Sequence, residues 1–114
     1  MVEEKEENKE LIEKRERELE EVLKELASEA RLTKDMADDL KSVIWHGEFW
    51  GYHEFVRKLD ELAAKWMYEV EKPERYEYFR NVRKKLQLLP FIVKDIGAVR
   101  AERILDKVIV SLPE

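Results

Sequence analysis

The sequence predicts an all-α fold, a single-domain helical bundle of four to five helices. Three observations carry this. Apolar residues recur at helical spacing through nearly the whole chain. The polar faces between them are filled by 21 glutamates, 13 lysines and nine arginines. Chain-breaking residues are confined to Gly47, Gly51, Gly97, Pro73, Pro90 and Pro113, which leaves helix-length intervals between them. The terminal VIVSL has strand propensity, but no second strand-like segment exists to pair with it. At 114 residues the chain is long enough for one core and too short for two.

The first helix is expected from about Glu4 to Arg31. Its stripe is Ile12, Leu19, Val22, Leu23, Leu26, Ala27 and Ala30, which fall on one face at 100° per residue. Ahead of Leu11 only Met1 and Val2 are apolar, so residues 1–10 read as a charged, frayed overhang and residues 11–114 as the bundle. Thr33 is placed to cap a second helix, with Leu32 as its staple residue. That helix presents Met36, Ala37, Leu40, Val43 and Ile44, and ends near Gly47, where a glycine takes positive φ cheaply.

A third helix is expected from about Glu48 to Glu71, with a broad core face running from Phe49 and Tyr52 through Phe55, Leu59, Leu62 and Trp66 to Val70. Pro73 is expected in the first turn of a fourth helix, where a missing N–H costs little. Its stripe is Phe79, Val82, Leu86 and Leu89, and Pro90 is expected to end it. A fifth helix from about Ala98 to Leu112 packs through Ala101, Ile104, Leu105, Val108 and Leu112.

Composition excludes several chemistries. Without cysteine there is no disulfide framework, thiolate metal site or cysteine nucleophile. Glycine at only three positions cannot build a phosphate loop or a dinucleotide fingerprint. None of Ser28, Ser42 and Ser111 sits in a nucleophile-elbow pattern. No apolar run approaches the roughly 18 residues that span a bilayer, and the acidic start MVEEKEENKE lacks the order of a signal peptide. The expectation is a soluble, cytoplasmic protein with no membrane contact, no cofactor and no catalytic site. Abundant Glu, Lys and Arg with two asparagines, one glutamine and one threonine is a thermophile's balance.

The stretch WHGEFWGYHEF, Trp45 to Phe55, concentrates both histidines and two of the three tryptophans. On a continuous helix His46 and His53 would stand about 10 Å apart, too far to share one zinc. Val43 and Trp50 occupy the positions three before each histidine, so the Glu-x-x-His spacing of di-metal bundles is absent. We therefore read the stretch as a helix junction filled by aromatics, with Gly47 breaking the chain and Gly51 admitting a neighbouring helix, and expect no metal.

Two surfaces remain. Trp50 falls outside the core stripe of the third helix, in line with Arg57 and Tyr68, which is the composition of an interface hot spot. With Ile12 and Leu19 on the long first helix, these residues outline a protein interface. The corresponding function is a small non-catalytic interaction or adaptor protein that forms homo-oligomers or docks on a larger assembly.

The alternative surface is basic. Residues 72–100 carry eight basic and three acidic side chains, against nine and sixteen in residues 1–49. Helical spacing groups Tyr76, Arg80, Arg83, Lys84 and Gln87 on one flank, where cations could hold phosphates and an aromatic could stack a base. These cations could equally face the acidic first helix. The stretch DIGAVRAERIL, residues 95–105, resembles the second half of a helix-hairpin-helix DNA-binding motif. Ile96 and Gly97 match its hairpin, Ala101 its small packing position, and Arg103, Ile104 and Leu105 its helix. The resemblance implies phosphate contacts from Gly97 and Arg100 in a nucleic-acid accessory protein. Asp95 stands where the motif's first hairpin glycine would be, and the Leu-Pro-Gly entry is missing.

Overall fold

Amphipathic stripes, capping residues and two prolines divide the described residues into six helices. They are α1 (Val2–Ala30), α2 (Lys34–Gly47), α3 (Tyr52–Met67), α4 (Arg75–Leu86), α5 (Leu89–Ile96) and α6 (Ala98–Ile109). The computed structural model describes residues 2–47 and 49–113, with side chains from Lys9 onward. Among the described residues there is no strand, and the all-α bundle stands. The VIVSL segment ends α6 and continues as turn. The expected fraying of residues 1–10 falls largely on side chains outside the described residues, and so does the expected start of the third helix at Glu48.

α1 is the spine. At ~1.5 Å per residue its 29 residues reach about 43 Å, most of the molecule's 56 Å long axis. It packs against α4, α5 and α6, while α2 and α3 pack on each other and lean on α6 and α4 respectively. Leu19, Leu23 and Leu26 of α1 meet Leu40 and Ile44, Phe55 and Leu59, Trp66, Val82 and Leu86, and Ile104 and Leu105 in one continuous core.

The end of α1 is a Schellman turn. The Arg31 amide donates to Ser28 O and the Leu32 amide to Ala27 O, with Arg31 at φ 52 in the left-handed region usually given to glycine. Leu32 then buries itself and Thr33 caps α2, its Oγ1 accepting from the Met36 amide at 3.3 Å. This start follows the sequence expectation.

Several boundaries differ from it. Pro90 does not terminate α4. It occupies the first turn of a separate two-turn helix, α5, whose buried residues Leu89, Ile92, Val93 and Ile96 form their own i, i+3, i+4, i+7 stripe. Pro73 correspondingly lies ahead of α4, which begins at Arg75. The third helix starts at Tyr52, after Gly51 in extended conformation, so Phe49 is 79% exposed instead of lying on a core face. Tyr52 is likewise exposed.

Gly97 alone joins α5 to α6, at φ 87 and ψ 156, a region that is essentially glycine-only. It ends one helix and starts the next.

Candidate functional site

The residues expected to form a protein interface are not gathered into one. Leu19 is fully buried in the core and Ile12 packs half-buried against it, because the stripe of α1 is consumed by α4, α5 and α6. Trp50 precedes α3, so it is not in helical register with Arg57. Its ring turns inward, edge-on to Phe55 (centroids 6.3 Å) and stacked on His46 (6.1 Å), with Lys58 Nζ 5.9 Å from its centroid. Arg57 is exposed and pairs with Glu54 at 2.6 Å. Tyr68 is exposed at the opposite end of α3, under the Arg75 guanidinium at 5.6 Å. Trp50 and Tyr68 thus flank a helix of 16 residues, about 24 Å long.

The histidines take junction roles. His46 Nδ1 lies 2.8 Å from Ser42 O, one turn earlier on α2, and His53 meets the ring edge of Tyr52. Among the described residues no three His, Asp or Glu side chains group so as to hold a metal ion. No helix among them is long and apolar enough to cross a membrane.

The basic flank of α4 does assemble. Tyr76, Arg80, Arg83 and Lys84, with Phe79 and Gln87, line one hollow of about 370 Å³. Arg83 is held by Asp60 of α3 at 3.1 Å, while Arg80 and Lys84 form no ion pair among the described residues. Tyr76 is 74% exposed. Behind this face Lys85 turns to Glu25 of α1, so part of the basic segment does face the acidic helix.

Gly97 and Arg100 line a different hollow, with Ile96, Ala98, Val99 and Arg103. Arg100 spends one N–H on Ile96 O at 3.3 Å, and Asp95 is tied to Arg15 of α1. One residue between the helices leaves no hairpin loop of the kind the helix-hairpin-helix motif uses.

One depression is missed by sequence reasoning. Between α1 and α5 runs a groove of about 610 Å³, lined by Arg15, Glu18, Glu21, Val22 and Glu25 on one bank and by Leu88, Phe91, Ile92 and Asp95 on the other. Leu11, Arg15, Glu18, Val22 and Glu25 follow one another at i, i+4, i+7, i+11 and i+14, so they share one face of α1. Leu88, Phe91 and Leu11 are 47%, 57% and 48% exposed, and the Tyr52 ring extends the patch, 5.0 Å from that of Phe91. Arg15 bridges the two banks at one end, 2.9 Å from Glu18 Oε2 and 2.9 Å from Asp95 Oδ2. The Glu18 hydrogen bond, more than any other contact, raises the pKa of its guanidinium.

The signal was present in the sequence. Leu88 and Phe91 lie out of phase with the buried stripe of α5, so two large apolar side chains had nowhere to go but outward. Which helix they would stand beside was not readable from spacing. Compared with protein-family models, curated proteins and solved structures, the chain matches none of them.

Proposed function

We propose that this protein is a small non-catalytic helical adaptor that works by docking another protein in the groove between α1 and α5. The observation that carries the reading is the exposure of Leu88 and Phe91 on the bank of a groove of about 610 Å³. Isolated surface leucines need no explanation, but large apolar side chains converging on one concave strip are what interaction sites present. α1 supplies the straight opposite bank.

The test is site-specific photo-cross-linking in the cell that makes the protein, with the reactive side chain at position 91. A discrete adduct that disappears in the Leu88→Glu variant supports docking there. Identifying the cross-linked chain, with light scattering of the pure protein over a concentration series, separates a second copy from another protein. No adduct at position 91, with the protein folded, overturns the reading.

One specific observation favours a second reading, nucleic-acid binding through α4. Among the described residues Arg80 and Lys84 have no ion-pair partner, and they stand beside the exposed Tyr76. Such binding must weaken steeply with salt, by a log–log slope of about 0.9 per phosphate contact on duplex DNA. Changing Arg80 and Lys84 to glutamate should abolish it. A titration of labelled single- and double-stranded DNA and RNA that shows no binding at low salt removes this reading.

A further inference from the structure

We infer that the segment received by the α1–α5 groove is a cationic amphipathic α-helix, a conclusion that rests on the adaptor reading and adds the partner's chemistry. The form of the occupant follows from what lines the groove. The α1 bank lies in mid-helix, where the backbone groups are hydrogen-bonded to one another, and neither bank among the described residues is a strand, so an extended peptide finds no ladder to join. A helix brings its own backbone bonds and needs only side-chain contacts. The α1 bank runs from Arg15 to Glu25, about 15 Å at ~1.5 Å per residue. That is close to three helical turns, enough to seat the roughly two turns that apolar anchors at i, i+3 or i+4, and i+7 span.

The charge of the occupant follows from the rim. Four carboxylates, Glu18, Glu21, Glu25 and Asp95, face one guanidinium, Arg15, around an apolar floor of Val22, Leu88, Phe91 and Ile92. Arg15 is shared between Glu18 and Asp95, and Glu25 reaches Lys85 behind the groove. Glu21 is exposed and makes no ion pair among the described residues. Lysine or arginine flanking the apolar stripe of an incoming helix would meet this rim, and glutamate in the same places would be repelled by it.

The experiment uses the full chain and three synthetic helices of about five turns. They share one leucine–phenylalanine face and differ only in the flanking positions, which are lysine and arginine, glutamine, or glutamate. Calorimetric titration should find the cationic helix at least ~10-fold tighter than the glutamine one, with the gap closing as salt screens it. The acidic helix should not bind. Phe91→Ser should weaken the cationic and glutamine helices alike, and a Glu18→Gln, Glu21→Lys double variant should remove the cationic advantage while glutamine-helix binding persists. Equal binding of the three helices overturns the inference, as does cationic binding that survives Phe91→Ser. If position 91 cross-links a protein in the cell but the cationic preference is absent, the partner chemistry is wrong and the adaptor reading stands. If no cross-link forms, the adaptor reading fails too.

Discussion

Gly47 lies directly under the ring of Phe55. A Cβ at position 47 would sit 2.5 Å from Phe55 Cζ and 2.8 Å from Cδ2, and Phe55 is fully buried, so the ring cannot swing aside. At Gly51 the same construction meets nothing within 4 Å. α2 ends at Gly47 as expected, but the close approach expected at Gly51 falls to Gly47, and Gly51 stands extended ahead of α3. Gly47→Ala should cost about 1–3 kcal/mol as an overpacked core. Gly51→Ser places a hydroxyl at the uncapped start of α3 and should gain a few tenths of a kcal/mol, about what serine gains over glycine there. Thermal melts of the two variants should move in opposite directions.

Arg31 holds the left-handed position of the turn after α1 at φ 52, and its ion pair with Glu74 is long at 3.9 Å and exposed. An exposed pair of that kind contributes little, while glycine is relieved of the steric penalty at that φ. Arg31→Gly should stabilise the fold by up to about 1 kcal/mol. A denaturant midpoint that falls would contradict this account of the turn.

Burial, followed by the nearby Glu69 carboxylate, pushes the Tyr78 phenol up from its ordinary value of 10.0 to about 12, with Arg31 opposing the shift. Its hydroxyl donates to Ala30 O at 2.9 Å, which ties α4 to the end of α1. The folded state holds this proton more tightly than the unfolded chain does. The resulting stability is fully present below pH 10 and is lost as pH rises through about 12. Tyr78→Phe should flatten that alkaline loss and remove the last step of the ultraviolet tyrosinate titration.

Leu19 and Trp50 give a paired test of what belongs to the core. Leu19 has no exposed surface, and its truncation to alanine should cost about 2–5 kcal/mol. Trp50 is half-buried against Phe55 and His46. Trp50→Ala should cost less than the roughly 3–5 kcal/mol of a fully buried aromatic, and it should leave cross-linking from position 91 intact, because Trp50 does not line the groove.

Much of this architecture was legible in residue spacing. The stripe of α1, the Thr33 cap with its Leu32 staple and the packing face of α6 are local patterns, and each forms where the sequence places it. Pro90 was misread because proline both ends and begins helices, and only the second stripe from Leu89 to Ile96 tells which. Trp50 was misread because its register depended on where α3 starts, and an extended Gly51 moved that start past it. The basic flank of α4 was legible because a single helix builds it. The groove was not, since its banks are 63 residues apart even at their nearest members, Glu25 and Leu88.

That α1 rests chiefly on the last three helices has a consequence for how the chain is made. α1 leaves the ribosome before any of α4, α5 and α6, the helices that cover it. Until α6 appears, the leucines from Leu19 to Leu26 lack part of their cover, while α2 and α3 can already pair as a local hairpin. The closing contacts span most of the sequence, which makes them slow to find relative to that hairpin. A further long-range contact joins this closure: Pro113 O accepts the amide of Lys34 at 3.0 Å and fastens the segment after α6 beside the start of α2. An arrest in translation before Ala98 would therefore leave the long helix without the part of its cover that α6 supplies.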